Sequence, residues 1–334
     1  MSDSITSLER EYEIKRNRIK LQKEQNLEKA YEKAPRLVEI DAQIKQLGIK
    51  AAKISLANTS TSKDETSKLL KEIDNLKLEK TTILKKENID LEPNYECTIC
   101  KDTGYITKNG ITQMCTCMKQ KLIDSQYNKL NRYKLEDETF ENFNFKLYPN
   151  VSNLEKYKTN KTPRENMENI VKLSKDFIEN YDLPETKNLL FVGSTGVGKT
   201  FLSGCIANEF IKRGRTVIYQ TAPLLLDLIF EYKFNQNKNQ ASKEIYESLF
   251  DVDLLIIDDL GTENPSSAKF AELFTIINSR LLTSKTKTII SSNLEIDGLN
   301  KAYDDRIISR FVGQYTICRF FGEDIRKRNQ YEKQ

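Results

Sequence analysis

NLLFVGSTGVGKTF, residues Asn188 to Phe201, reads as a short apolar strand, a glycine-rich bend and the opening of a helix. Asn188–Val192 has the nearly continuous apolar character of a strand buried on both faces. Gly193-Ser194-Thr195-Gly196-Val197-Gly198-Lys199-Thr200 then fits G-x-x-x-x-G-K-[ST]. It stands between a strand and a helix, the context that gives this spacing its meaning. Gly193, Gly196 and Gly198 let the backbone curl so that successive amides point inward at phosphate oxygens, with the positive end of the helix dipole behind them. Lys199 is placed to reach the β- and γ-phosphates, and the Thr200 hydroxyl to ligate magnesium. The expected nucleotide-binding set is therefore Gly193, Ser194, Thr195, Gly196, Val197, Gly198, Lys199, Thr200 and Phe201, with ATP and Mg2+ as ligands.

Four further apolar runs flank this stretch: Thr216–Gln220 (TVIYQ), Asp253–Asp258 (DLLIID), Thr286–Ser292 (TKTIISS) and Tyr315–Phe321 (YTICRFF). They alternate with helical patterns, which predicts an α/β fold with a doubly wound, five-stranded parallel sheet. LLIIDD ends with two carboxylates at the edge of the sheet where the phosphates would lie. Asp258 is placed to hold the magnesium shell. Asp259 is next in line to polarise an attacking water, with Glu263 in support, or else it caps a turn. Asn293 follows TKTIISS and is placed for the γ-phosphate or the lytic water. Arg306 and Arg310 are four residues apart and share a helix face. They read either as contacts to a neighbouring subunit's nucleotide or as ion-pair partners of Asp304 and Asp305. Arg326, in GEDIR, can approach the nucleotide from its own subunit. Residues 223–249 interleave Phe230, Tyr232, Phe234 and Tyr246 with Lys233, Lys238 and Lys243. That pattern suits stacking on single-stranded DNA, or equally the core of a helix.

The N-terminal part is different. Residues 1–92 are rich in Lys, Glu, Leu and Ile, with apolar residues at helical spacing: Leu37, Ile40, Ile44, Leu47, then Leu69, Ile73, Leu76 and Ile83. This predicts a helical hairpin or coiled coil, broken at Pro35 and again at the polar stretch Asn58–Ser62, with Lys80 weakening the seam. It reads as a solvated spacer or as a partner-binding module. Residues 93–125 hold Cys97, Cys100, Cys115 and Cys117 as C-x2-C and C-x-C pairs around a hairpin. Four thiolates make a closed zinc site, structural rather than catalytic. An iron–sulfur cluster or a redox pair is the alternative. Cys205 and Cys318 sit in apolar contexts and read as buried small hydrophobes. The expected organisation is a helical region 1–92, a zinc module 93–125, a linker 126–160 and a nucleotide-binding domain 161–334.

Composition narrows the function classes. The 334 residues include no histidine, which removes every mechanism that needs an imidazole, and no tryptophan. Lys and Arg number 53 against 49 Asp and Glu, an excess that permits a nucleic-acid partner without demanding one. No apolar run reaches membrane-spanning length, and MSDSITSLEREYEIKRNR lacks the apolar core of a secretory signal. A cytoplasmic protein with free thiols and no membrane partner is expected.

GSTGVGKT, LLIIDDLGTE, SSNL, the Arg306–Arg310 segment and GEDIR together resemble the AAA+ ATPases of the P-loop NTPase class, over roughly residues 140–330. More narrowly they resemble bacterial replicative helicase loaders of the DnaC/DnaI type and the related IstB-type transposition helper ATPases. The cysteine segment and helical N-terminus look like the loaders. Thirteen residues follow Phe321, so the full C-terminal lid domain of many AAA+ proteins is not expected. The resemblance implies that Asn293 is the sensor-1 residue, Arg310 the trans-acting finger with Arg306 competing, and Arg326 a sensor-2-like arginine. The doubled Asp at 258–259, where many relatives have Asp-Glu, leaves the catalytic base between Asp259 and Glu263. The implied activity is ATP hydrolysis at subunit interfaces of self-associated ATPase domains. The implied partners are a replicative DNA helicase hexamer and single-stranded DNA. A transposition helper, or an ATP-gated adaptor with negligible turnover, is the alternative.

Overall fold

The computed structural model describes residues 2–56, 62–126, 137–234, 240–264, 266–283 and 285–326. Packing divides the chain into two compact units, Met1–Leu8 with Met114–Gln334, and Glu9–Gln113. Of the expected features, residues 58–61 of the polar stretch, Lys238 and the Phe234 side chain lie outside what is described. Among the described residues, no helix is long and apolar enough to cross a membrane.

In the helical unit, α1 (Ser2–Lys33) stops just before Pro35 and α2 starts at Arg36, running to Leu56. Proline has no N–H to continue the helical ladder. α2 packs along α3 (Ser62–Lys86), burying Leu37, Ile40, Ala51 and Ile73. Lys80 does interrupt this seam, but it is not left unpaired. Its ammonium meets both Asp41 oxygens at 2.6 and 2.7 Å, and the Tyr31 hydroxyl donates to the same carboxylate at 2.8 Å. A half-buried pair of this kind adds little net stability, because the cost of desolvating both charges offsets their attraction.

The larger unit is built on a parallel sheet of β3 (Asn188–Val192), β4 (Val217–Thr221), β5 (Leu254–Leu260), β6 (Lys287–Ser292) and β7 (Tyr315–Arg319). Its order is β4-β5-β6-β3-β7. Alternate residues feed two cores. Leu189, Phe191, Val217, Ile256 and Ile289 face one side, with α5 (Pro163–Glu179) and α6 (Lys199–Lys212) packed over them. Leu190, Val192, Ile218, Leu255, Ile257 and Ile290 face the other. There they meet α7 (Ala222–Phe234), α8 (Gln240–Asp251), α9 (Ser267–Leu281), α10 (Ile296–Ala302) and α11 (Asp305–Gln314). α5 starts with a capping box: Thr162 Oγ1 accepts from the Glu165 amide, and the Glu165 carboxylate accepts from the Thr162 amide, with Pro163 in the first turn.

β5 and β6 pair regularly through Ile257 and Ile290, then resume at Leu260 and Ser292. Three residue steps on β5 face two on β6, so one residue bulges at Asp258–Asp259. Asp259 takes a left-handed φ of +58° there. β7 ends at Arg319, two residues before the apolar run does, although the Phe320 amide still reaches the Val192 carbonyl at 2.7 Å. The β4 edge is occupied by a side chain. Gln120, on α4 (Thr116–Gln126), donates to the Val217 carbonyl at 2.9 Å and accepts from the Val217 amide at 2.7 Å. Its amide thus takes the place of a neighbouring strand residue.

Candidate functional site

The C-terminal ends of β3, β4, β5 and β6 border a cavity of about 480 Å³. Thr195, Gly196, Gly198, Lys199, Thr200 and Phe201 line it from the loop and the start of α6. Tyr219 and Thr221 come from β4, Asp258 and Asp259 from β5, and Asn293 from just beyond β6. Glu138, Ile325 and Arg326 complete the wall. The loop itself is left-handed at Gly193, with φ of +135°. A Cβ there would stand 2.0 Å from the Phe320 carbonyl oxygen, so the position admits glycine alone. The remaining expected loop residues act through backbone or core: Gly193 and Ser194 offer carbonyls, and Val197 is buried.

Lys199 is the centre of charge. Its ammonium donates to the Gly193 and Ser194 carbonyls, each at 2.7 Å, and to Asn293 Oδ1 at 2.9 Å. Burial pushes it down to about 8, against the pull of Asp259 and Asp258. Asn293 then turns its Nδ2 to Asp259 Oδ1 at 3.1 Å. Burial, and secondarily the charge of Asp258, raises the Asp259 carboxyl above the ordinary range.

Neighbouring residues of a regular strand point to opposite faces. The bulge removes that alternation, which is why both Asp258 and Asp259 line one cavity. Asp258 is 3% exposed. The Tyr219 hydroxyl donates to its Oδ2 at 2.8 Å, and the Ser291 hydroxyl donates to its Oδ1. Thr200 and Asp258 line the same cavity with a hydroxyl and a carboxylate, a hard oxygen pair of the kind magnesium takes.

Other expected residues are placed as follows. Arg326 lines the cavity while forked onto Asp324, at 3.0 and 2.9 Å. Glu263 is turned elsewhere, accepting from the Gly261 amide at 2.8 Å and from the Tyr303 hydroxyl. Arg310 and Arg306 lie on α11, over the ring of Phe274 on α9. Arg310 donates to Asn278 at 3.1 Å, and Arg306 makes the ion pair with Asp304. In the 223–249 segment Tyr232 stacks on Tyr246, and Lys233 sits over Tyr246 beside Glu272. Tyr246 packs against the core, whereas Phe230 is 38% exposed. Sequence reasoning missed Tyr219, Ser291 and Glu138. The first two were legible only as strand residues, and Glu138 belongs to a stretch without periodicity.

The stretch 97–117 gathers Cys97, Cys100, Cys115 and Cys117, whose sulfurs all lie within 4.8 Å of one another. Zinc–thiolate bonds of about 2.3 Å require sulfurs about 3.8 Å apart in a tetrahedron, so the set fits this ion with small adjustment. A hairpin of β1 (Tyr105–Lys108) and β2 (Ile111–Met114) joins the two pairs. Asp102, 1% exposed, accepts from the Cys97 amide at 2.7 Å and the Glu96 amide at 2.9 Å, and the Gly104 amide donates to Cys100 Sγ. Cys205 and Cys318 are buried in the core, and burial pushes each thiol up to about 12.

Residues 122–333 match the family described as IstB-like ATP binding protein. The chain is similar to the replicative helicase loader DnaC of Buchnera aphidicola subsp. Baizongia pistaciae (strain Bp), at 30% identity over 160 residues, 48% of this chain and 64% of that one. It is similar to the replicative helicase loader DnaC of Escherichia coli (strain K12), at 26% identity over 143 residues, 42% of this chain and 56% of that one. The matches therefore span less than two thirds of these relatives. Among solved structures, that of the DnaC helicase loader aligns with 24% identity and a TM-score of 0.41, over 47% of this chain and 90% of that one.

Proposed function

Because the chain belongs to the IstB-like ATP binding protein family, we propose that it is an ATP-dependent loader that places a replicative DNA helicase hexamer on single-stranded DNA. The observation that carries this reading is the convergence of Lys199, Thr200, Asp258, Asp259 and Asn293 on one cavity. Lys199 exchanges the Gly193 and Ser194 carbonyls for β- and γ-phosphate oxygens. Thr200 and Asp258 hold magnesium, which when bound neutralises charge on those phosphates. Asp259 orients the attacking water, and Asn293 carries its position to Lys199 through one side-chain amide. Arg326 faces the nucleotide in its own subunit, and Arg310 serves the nucleotide of a neighbour in a self-associated assembly. The four cysteines hold a structural zinc, and together with the helices of 1–92 they form the helicase-docking part, with 126–160 as linker to the ATPase domain 161–334, a linker that also lends Glu138 to the cavity wall. Residues 223–249 are the candidate DNA surface, with Phe230 its exposed ring.

An ATP-gated adaptor with little turnover is the second reading. It is favoured by the short Asp259 carboxylate already engaged by Asn293. One assay separates the readings. The full chain is mixed with the host's replicative helicase, circular single-stranded DNA and ATP, and helicase retained on DNA and phosphate released are both measured. Retention with phosphate release supports the loader; retention with ATP bound and no release supports the adaptor. Absence of any complex with the helicase overturns both, and directs attention to a transposition helper.

A further inference from the structure

Asp258 is held from two sides by hydroxyl donors that come from different strands. Tyr219 reaches across from β4 to Oδ2 at 2.8 Å, and Ser291 on β6 donates to Oδ1. Ser291 also accepts from the Asp259 amide at 3.1 Å, so it fixes the bulge and the carboxylate together. Each carboxylate oxygen has room for two donors. One donor apiece fixes the plane of Asp258 and leaves its remaining lone pairs for a cation and its waters. Tyr219 is 4% exposed yet contributes to the cavity wall. A phenylalanine would satisfy the packing of that ring equally well, so the hydroxyl has a task that packing does not set.

We infer that Tyr219 is a positioning residue for the divalent cation: its hydroxyl, with that of Ser291, fixes the rotamer of the Asp258 carboxylate in the orientation that meets the magnesium of a bound nucleoside triphosphate. This rests on the nucleotide-site reading above. Hydrogen-bond partners that orient a metal ligand typically carry roughly 10- to 100-fold in metal affinity. The test uses the full chain and a fluorescent methylanthraniloyl ATP, titrated first in EDTA and then with increasing Mg2+. Tyr219→Phe is expected to raise the Mg2+ midpoint roughly 10-fold, a larger change than it makes to binding in EDTA. Ser291→Ala is expected to raise it similarly, and Ser291→Thr, which keeps the hydroxyl, to restore it. Thermal unfolding by circular dichroism identifies a misfolded variant, and the serine pair then carries the test. An unchanged Mg2+ midpoint in both Tyr219→Phe and Ser291→Ala overturns the positioning role while leaving the nucleotide site intact. Equal losses with and without Mg2+ also overturn it, because they signal damage to the loop. A wild-type chain that binds no nucleotide overturns the site reading itself, and the cation role falls with it.

Discussion

Lys199 carries its positive charge in a nearly closed environment, 5% exposed, with three oxygen acceptors and an acidity raised until its ammonium titrates at about 8. Burial destabilises the charged form, and a triphosphate restabilises it. Below pH 8 the free site is already charged. As the pH rises past about 8 the free site loses its proton while the bound site keeps it. ATP affinity is therefore expected to fall by up to about tenfold per pH unit in that window. Calorimetry at pH 8.5 in two buffers of different ionisation enthalpy checks this, since binding must then take up a proton; identical heats would contradict it. Lys199→Ala removes the charge altogether and should weaken ATP by roughly 100-fold, an amount set by two or so charge-assisted hydrogen bonds. The position of Lys199 was readable because the glycine spacing around it is a local code. Its hydrogen bond to Asn293 was not, because those residues are brought together by β3–β6 pairing.

Elements set what the residues can reach. The order β4-β5-β6-β3-β7 places β5, which carries Asp258, beside the strands carrying Tyr219 and Ser291. Continuous apolar runs made the five strands legible, since buried parallel strands need little else. The bulge left no such mark: Asp258-Asp259 reads as a strand end, and only the register slip against β6 turns both carboxylates the same way. α11 begins at a cap, Asp304 accepting from the Ile307 amide, and buries Ile307 and Phe311. That leaves Arg306 and Arg310 over Phe274. If this face meets a neighbour's nucleotide, Arg310→Ala should lower turnover on the order of a thousandfold at concentrations where the protein assembles. It should leave ATP binding by dilute protein unchanged. Turnover measured across a dilution series decides it, and an equal loss in the dilute limit would assign Arg310 to its own subunit.

At the scale of the whole molecule, the stretch with the cysteines and the sheet unit are stabilised by different means. The sheet unit buries two apolar cores, whereas β1 and β2 are almost entirely exposed. If the four cysteines hold zinc as proposed, a segment with so little apolar burial depends on that metal to fold. Chelation is expected to abolish amide protection in 97–114 and to leave the sheet unit with its own cooperative melting transition. Hydrogen exchange with and without chelator reads both, and unchanged protection at 97–114 would remove the zinc assignment. The cysteine spacing made this segment legible, but nothing local signalled that Gln120, three residues beyond Cys117, would pair with Val217. That pairing makes the border of the sheet answerable to a helix that starts among the cysteines. Val217 and Tyr219 belong to one strand, so the strand whose outer edge Gln120 closes is also the one whose hydroxyl bonds Asp258.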